Sequence, residues 1–199
     1  MKKKKDIKFI NSSWAFESDN LETWAYYDSV FSVEECEKII EIGNKKGLVQ
    51  GTINKGSLKD IRESKVSWLY PADDMEWVYR RLTDVILNLN QRFFKFKLYG
   101  FMEGLQFTHY KEPGGKYKKH IDRGLNISVR KLSLSVQLSN PKSYEGGDLL
   151  LHDAETPTTV PKEQGKLILF PSYVLHEVTP VTKGERYSLV AWITGPQFK

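Results

Sequence analysis

Cysteine is almost missing from this sequence. Cys36 stands alone, so no disulfide can form within the chain, and a reducing, cytoplasmic setting is expected. Long apolar runs are missing too. None approaches the roughly 18 residues that a membrane-spanning helix requires. The opening "MKKKKDIKF" carries charge without the apolar stretch of a signal peptide, so no membrane partner is expected. No internal repeat and no low-complexity linker offers a place to divide the chain. No recognisable nucleic-acid module occurs either. The net charge of +5 owes much to Lys2–Lys5, which reads as a solvated tail, so nucleic acid is not the expected partner. Histidine is scarce, at four residues, so a histidine set beside a carboxylate carries weight.

What is present suits a single folded domain over residues 1–199. A hydrophobic content of 40%, with 13% aromatic residues, is enough for a substantial core. Residues 1–27 predict an irregular or short-strand entry. The segment "SVEECEKIIEIGNKKG" sets Ser32 and Glu35 at capping-box spacing, follows them with Val33, Cys36, Ile39 and Ile40 on one face, and ends at Gly47. A second helix is predicted over Asp74–Asn90, with an apolar stripe from Trp77 to Leu89 and acidic residues near its start. After Phe93 the pattern changes to short β-branched and aromatic runs: Phe96–Met102, Leu105–Tyr110, Leu132–Leu138, Asp148–Leu151, Lys166–Phe170, Val174–Val178 and Tyr187–Ile193. Turn clusters separate them at Pro113-Gly114-Gly115, Asn140-Pro141, Gly146-Gly147 and Lys183-Gly184. The expectation is a mainly β, α+β protein: a sandwich or barrel over 93–199, braced by a helical support region over 1–92.

The chemistry points to "YKEPGGKYKKHIDRG". On a strand, residues i and i+2 face the same side, so His120 and Asp122 offer an imidazole and a carboxylate to one space. Two such ligands hold a metal poorly, whereas a third ligand from another strand makes a facial triad with open positions. His176 is the leading candidate, on a predicted strand about fifty residues later, a separation that suggests the opposite sheet. His152, which looks exposed at a strand end, and His109, which would face away, are the competitors. Arg186 lies ten residues beyond His176 in "GERYSLVAWITGP". Facing inward it would need an anion, because an unpaired buried guanidinium is costly. The alternative is a strand-start arginine paired with Glu185 or another surface acid.

These segments resemble the Fe(II)- and 2-oxoglutarate-dependent dioxygenases of the prolyl 4-hydroxylase-like group. The resemblance runs from about Phe31 to Pro196, and is carried by "HYKEPGGKYKKHID", "SLSVQLSNPKSYEGGDLLL" and "GKLILFPSYVLHEVTPVTKGERYSLVAWITGP". It implies a double-stranded β-helix (jelly-roll) core. It implies His120, Asp122 and His176 as Fe(II) ligands and Arg186 as the partner of the distal carboxylate of 2-oxoglutarate. O2 is the second cosubstrate, and ascorbate can serve as reductant. Tyr110 matches a tyrosine lining the cosubstrate pocket, which Gln137 would help to line; core packing would also account for Tyr110. Trp192 matches a tryptophan near the substrate opening, or else belongs to the core. Arg130 is a looser match to a substrate-contacting arginine, or else a surface charge. Phe107, Tyr117, Lys118, Lys119 and Arg123 would shape an entrance, or else form ordinary strand surface. The glycines of "YEGGDL" suggest a tight turn at positive φ, and Arg123–Arg130 a mobile lid.

The resemblance favours a prolyl residue of a peptide or protein as substrate, with a free amino acid or other small molecule as the alternative. Two further readings compete: a non-catalytic jelly-roll binding module, and a nucleic-acid demethylase of the same fold. A structural metal site would be closed by a fourth protein ligand, which argues against the first. The paired arginines expected of the second do not follow His176.

Overall fold

The computed structural model describes residues 22–51, 58–123 and 129–196. The lysine-rich start of the chain and most of the expected lid lie outside the described residues. In chain order the elements are β1 (Ala25–Tyr27), α1 (Val33–Lys45), β2 (Val49–Gln50), α2 (Leu58–Ile61), β3 (Arg62–Glu63), β4 (Lys65–Leu69), α3 (Glu76–Leu89), β5 (Gly100–Phe101), β6 (Leu105–Lys111) and β7 (Lys116–His120). There follow β8 (Arg130–Gln137), β9 (Tyr144–Gly146), β10 (Leu149–Leu151), β11 (Thr158–Thr159), β12 (Leu167–Pro171), β13 (His176–Val178) and β14 (Val181–Thr194).

Two antiparallel sheets face each other. The larger runs β1-β12-β8-β14-β6-β4-β2, with β5 and β9 also paired to β14; the smaller runs β11-β10-β13-β7-β3. Helices α1 and α3 cover the outer face of the larger sheet, which is therefore buried on both sides. Alternation along its strands sorts the chemistry. Leu105 and Phe107 of β6, Leu132, Leu134 and Val136 of β8, and Leu189, Ala191 and Ile193 of β14 join the helix-side core. The residues between them are polar to an unusual degree for a buried strand: Gln106, Thr108, Ser133, Ser135, Gln137, Arg186 and Ser188. They face the smaller sheet, and this polar inner face is where the site lies. A second, smaller core of Leu149, Leu151, Ile168, Phe170 and Val178 fills the rest of the gap between the sheets.

Both predicted helices form. The Ser32 hydroxyl accepts the Glu35 N–H at 3.2 Å, and Glu35 accepts the Ser32 N–H at 2.9 Å, completing the capping box. Helix α1 lies close on the sheet because Gly43 has no side chain: a Cβ there would come within 2.4 Å of the Phe107 ring. Helix α3 buries Val78, Leu82, Val85, Ile86 and Leu89, one continuous stripe.

Several expectations need correction. Of Phe96–Met102, only Gly100–Phe101 is strand. The segment before it continues the end of α3 instead: Lys95 turns left-handed at φ 55°, and the Asn90 side chain binds both the N–H and the carbonyl of Phe96. Lys183-Gly184 is not a turn but part of the long strand β14, where it pairs with β9 across a register shift. Residues 1–92 do more than supply helices. They add β1, β2 and β4 to the larger sheet and β3 to the smaller. Neither β4, "KVSWL", nor the two-residue β3 was among the expected strands.

Candidate metal centre

Three side chains converge at the smaller sheet. His120 closes β7 and His176 opens β13, and the two are directly opposed partners in neighbouring strands of one sheet. The expectation of opposite sheets is thus overturned. The intervening chain crosses to the larger sheet as β8, returns through β10, crosses again as β12 and comes back as β13 beside β7. The imidazole centroids are 4.2 Å apart.

Asp122 is not placed by strand alternation, because β7 ends at His120. It is held past the strand end by the backbone: the N–H groups of Asp122 and Arg123 both donate to the Ser172 carbonyl at 3.0 Å. Its Oδ2 accepts the Ser133 hydroxyl at 2.7 Å, and Ser172 Oγ lies 2.9 Å from Ser133 Oγ. Since the Ser133 proton goes to the carboxylate, Ser172 donates to Ser133. His120 Nε2 stands 3.7 Å from Asp122 Oδ1, and His176 Nε2 stands 3.5 Å from Asp122 Oδ2. The candidate ligand atoms of all three residues lie within 4.8 Å of one another.

Both imidazoles are set in the same tautomer. His120 Nδ1 lies 2.8 Å from the Lys118 carbonyl, and His176 Nδ1 lies 2.9 Å from the Val174 carbonyl. A carbonyl only accepts, so each Nδ1 carries hydrogen and each Nε2 turns a lone pair to the shared space. Burial, reinforced by the neighbouring His176, pushes the His120 pKa down to about 4. Burial alone would raise that of Asp122, but the two histidines and the Ser133 hydroxyl outweigh it and hold the carboxyl below its ordinary range. With its imidazoles neutral, the cluster offers nitrogen lone pairs and a carboxylate, a donor set suited to a divalent transition metal.

A cavity of about 370 Å³ opens from this cluster between the sheets. Arg186 lines it from β14 and is 2% exposed. Its Nη2 donates to Gln137 Oε1 at 2.9 Å, while Nε and Nη1 are buried with no hydrogen-bond partner among the described residues. Pairing with Glu185 does not occur; that carboxylate engages His109, Lys111 and the Tyr187 hydroxyl. Two unsatisfied N–H groups of a buried cation fit an anionic ligand. Gly147, at φ 61°, makes the room: a Cβ there would stand 3.0 Å from Arg186 Cδ.

The other expected residues divide. Tyr110 lines the cavity as the cross-strand partner of Arg186, whose Cζ is 5.3 Å from its ring. Gln137 does not line it, but holds Arg186 from behind. Trp192 lines it and carries Arg130 at 3.7 Å over its ring. Arg130 is no surface charge. Its side chain is 11% exposed and forms a two-pronged pair with Glu103 at 2.7 and 2.5 Å. Tyr117 lines the cavity, but Phe107 is fully buried beneath α1 and shapes no entrance. Lys118 and Lys119 are exposed, and Arg123 is half-buried outside the cavity lining. Of the competing histidines, His109 faces the helices and stacks on Tyr187. His152 is not exposed: its side chain is 11% accessible and lies 2.9 Å from Glu177. Arg62, Trp68, Glu103 and Gln106 also line the cavity, and were not foreseen. Trp68 could have been found from its place in the alternating "KVSWL"; Arg62 left no such signal.

Comparison with known proteins agrees with this geometry. A PKHD-type hydroxylase of Aliarcobacter butzleri (strain RM4018) is 30% identical over 171 residues, covering 82% of this chain and 75% of that protein. The model of the 2OG-Fe(II) oxygenase superfamily matches residues 105–194. The chain belongs to that superfamily. This oxygenase shares its fold with a Pseudomonas putida prolyl-4-hydroxylase, at 22% identity and a TM-score of 0.69 over 88% of this chain and 94% of that one. It shares it too with a Trichoplax adhaerens prolyl hydroxylase solved with a peptide fragment of the hypoxia inducible factor oxygen degradation domain, at 19% identity and a TM-score of 0.73 over 87% and 84%. The jelly-roll architecture and the 2-oxoglutarate-dependent dioxygenase class are therefore as expected. Fe(II) is the family's metal and 2-oxoglutarate and O2 are its cosubstrates, and no helix among the described residues is long and apolar enough to cross a membrane.

Proposed function

We propose that this oxygenase hydroxylates a prolyl residue of a peptide or protein, with Fe(II) held by His120, Asp122 and His176. The observation that carries the reading is the pairing of a three-residue donor cluster with a buried guanidinium whose Nε and Nη1 await a partner. Arg186 receives the distal carboxylate of 2-oxoglutarate, Gln137 fixes the guanidinium, and Tyr110 closes that end of the cavity. When bound, the iron and 2-oxoglutarate together activate O2 for insertion of one oxygen into an unactivated C–H bond. The chain's own residues do the rest. Ser133 holds the carboxylate of Asp122, and the Lys118 and Val174 carbonyls hold both imidazoles in the tautomer that presents Nε2. Trp68, Trp192 and the edge of Tyr117 give the substrate end aromatic walls suited to a pyrrolidine ring, and Arg130 offers donors to a peptide carbonyl beside it. The relatives named as PKHD-type and prolyl hydroxylases support this choice. Ascorbate is proposed as reductant. The buried Cys36, the chain's only thiol, supports a reducing, cytoplasmic compartment.

A free amino acid or other small molecule is the second reading, favoured by a cavity no larger than about 370 Å³. One experiment separates the two. Proline-containing peptides are incubated with Fe(II), 2-oxoglutarate and ascorbate, and followed by mass spectrometry together with succinate. Gain of one oxygen on peptide, matched by succinate, supports the first reading. Turnover of free amino acids with no peptide ever modified refutes it.

A further inference from the structure

Strand β7 carries a bulge that the proposed ligand set does not explain. Tyr117 is opposite Val178 and His120 is opposite His176, so Lys118 and Lys119 together face the single residue Glu177. Residues three apart on a regular strand point to opposite faces. The extra residue cancels that alternation and brings Tyr117 onto the same face as His120. The two rings stack with centroids 3.5 Å apart and planes within 19°. On the far side of Tyr117 lies Arg62, its cross-strand partner in β3, with Cζ 4.7 Å from the ring centroid. Arg62 is itself anchored: Nε donates to Ser64 Oγ at 2.7 Å and Nη2 to Gln106 Oε1 at 2.8 Å. The result is a layered column of guanidinium, phenol and imidazole, running from an edge strand to the cluster.

The column complements the hydrogen bond from His120 Nδ1 to Lys118. That bond selects the tautomer and one in-plane direction, but a ring held at one atom can still rock about it. A flat surface against the ring removes that freedom. His176 has a different support, the edge of Phe170 at 4.9 Å and 63°, together with the deeper burial of its strand. His120, at the end of its strand and with a more exposed side chain, lacks such enclosure.

We infer that Tyr117 and Arg62 are positioning residues: Tyr117 sets the plane of the His120 ring, and Arg62 acts on His120 through Tyr117. This rests on His120 being a metal ligand. A planar fork is needed for the outer layer, which Lys cannot supply. The Tyr117 ring is needed but its hydroxyl is not.

The test is the affinity of the metal-free, full-length protein for Co(II), read by calorimetry and by the visible spectrum of the bound ion, with no substrate present. Tyr117→Phe is expected within about twofold of the parent, whereas Tyr117→Leu and Arg62→Lys each weaken Co(II) binding by about tenfold. The deciding measurement is the double variant. In the Tyr117→Leu background, Arg62→Lys has no further effect, because the layer that transmits it is gone. Unchanged affinity in Tyr117→Leu overturns the inference. So does an Arg62→Lys effect that is equally large in both backgrounds. Thermal unfolding of each metal-free variant separates lost folding from lost positioning, and Tyr117→Met replaces Tyr117→Leu if the latter does not fold. His120→Ala is the control for the ligand set. Full Co(II) affinity there sinks the ligand assignment and the column with it; its loss there, beside full affinity in Tyr117→Leu, sinks the column alone.

Discussion

Arg186 shows how a single side chain carries a demand that its neighbours decline to meet. The one acid beside it in sequence, Glu185, turns to the other face, Tyr110 offers only its ring, and Gln137 satisfies one N–H. Arg186→Ala should therefore raise the 2-oxoglutarate requirement by about tenfold to a hundredfold, the range for losing charged hydrogen bonds. Co(II) affinity should stay within about twofold if the guanidinium serves the cosubstrate and not the metal cluster. Titration of succinate formation against 2-oxoglutarate, beside calorimetry, checks both. Asp122 poses the complementary case. Ser133→Ala removes its side-chain donor, and metal affinity should fall by about tenfold. His152→Ala, which breaks the contact to Glu177, should leave metal affinity unchanged. The residue types were readable in the chain: a His-x-Asp, a distant histidine, an arginine ten further on. Arg62 was not, because a lone arginine in a two-residue strand has no periodicity to mark it.

At the scale of elements, burial of one helix against one strand makes a clear prediction. Gly→Ala within an exposed helix usually stabilises by about 1 kcal/mol. Gly43 is different, since the added methyl would meet the Phe107 ring at 2.4 Å, and that ring is enclosed by the core. Gly43→Ala should destabilise by roughly 1–3 kcal/mol, as overpacking does. Urea unfolding checks the sign. Ser32→Ala removes the cap of the same helix and should cost about 1 kcal/mol by the same measurement. Helices α1 and α3 were legible because capping residues and apolar stripes are local signals. Phe96–Met102 misled because aromatic content is shared by strands and by a packed helix exit, and only the Asn90 side chain decides between them. The bulge in β7 depends on what β13 presents opposite it, so no local signal announces it.

For the whole molecule, buried histidines make stability depend on pH. His120 titrates near 4 when folded, and burial also lowers His109, against partial opposition from Glu185 and with support from Lys111 and Lys65. In the unfolded chain both titrate near 6.5. Between those values the unfolded state holds more protons, so the stability of the metal-free protein falls as pH falls from about 6.5 towards 4. His120→Gln should flatten the slope measured by urea unfolding across that window. Cys36 gives a second whole-molecule readout: burial pushes its thiol up to about 12, so thiol reagents should label it only after unfolding. By itself the amino-acid order determined helices α1 and α3, the main strands from Leu105 onward, and which side chains could bind a metal and an anion. These follow from local periodicity, capping and residue chemistry. Only the tertiary structure decided that the two histidines share a sheet, that Asp122 hangs from the Ser172 carbonyl beyond its strand, and that Arg130 and Arg62 line the cavity. Those facts depend on which strands become neighbours, and that is set by the packing of the entire chain.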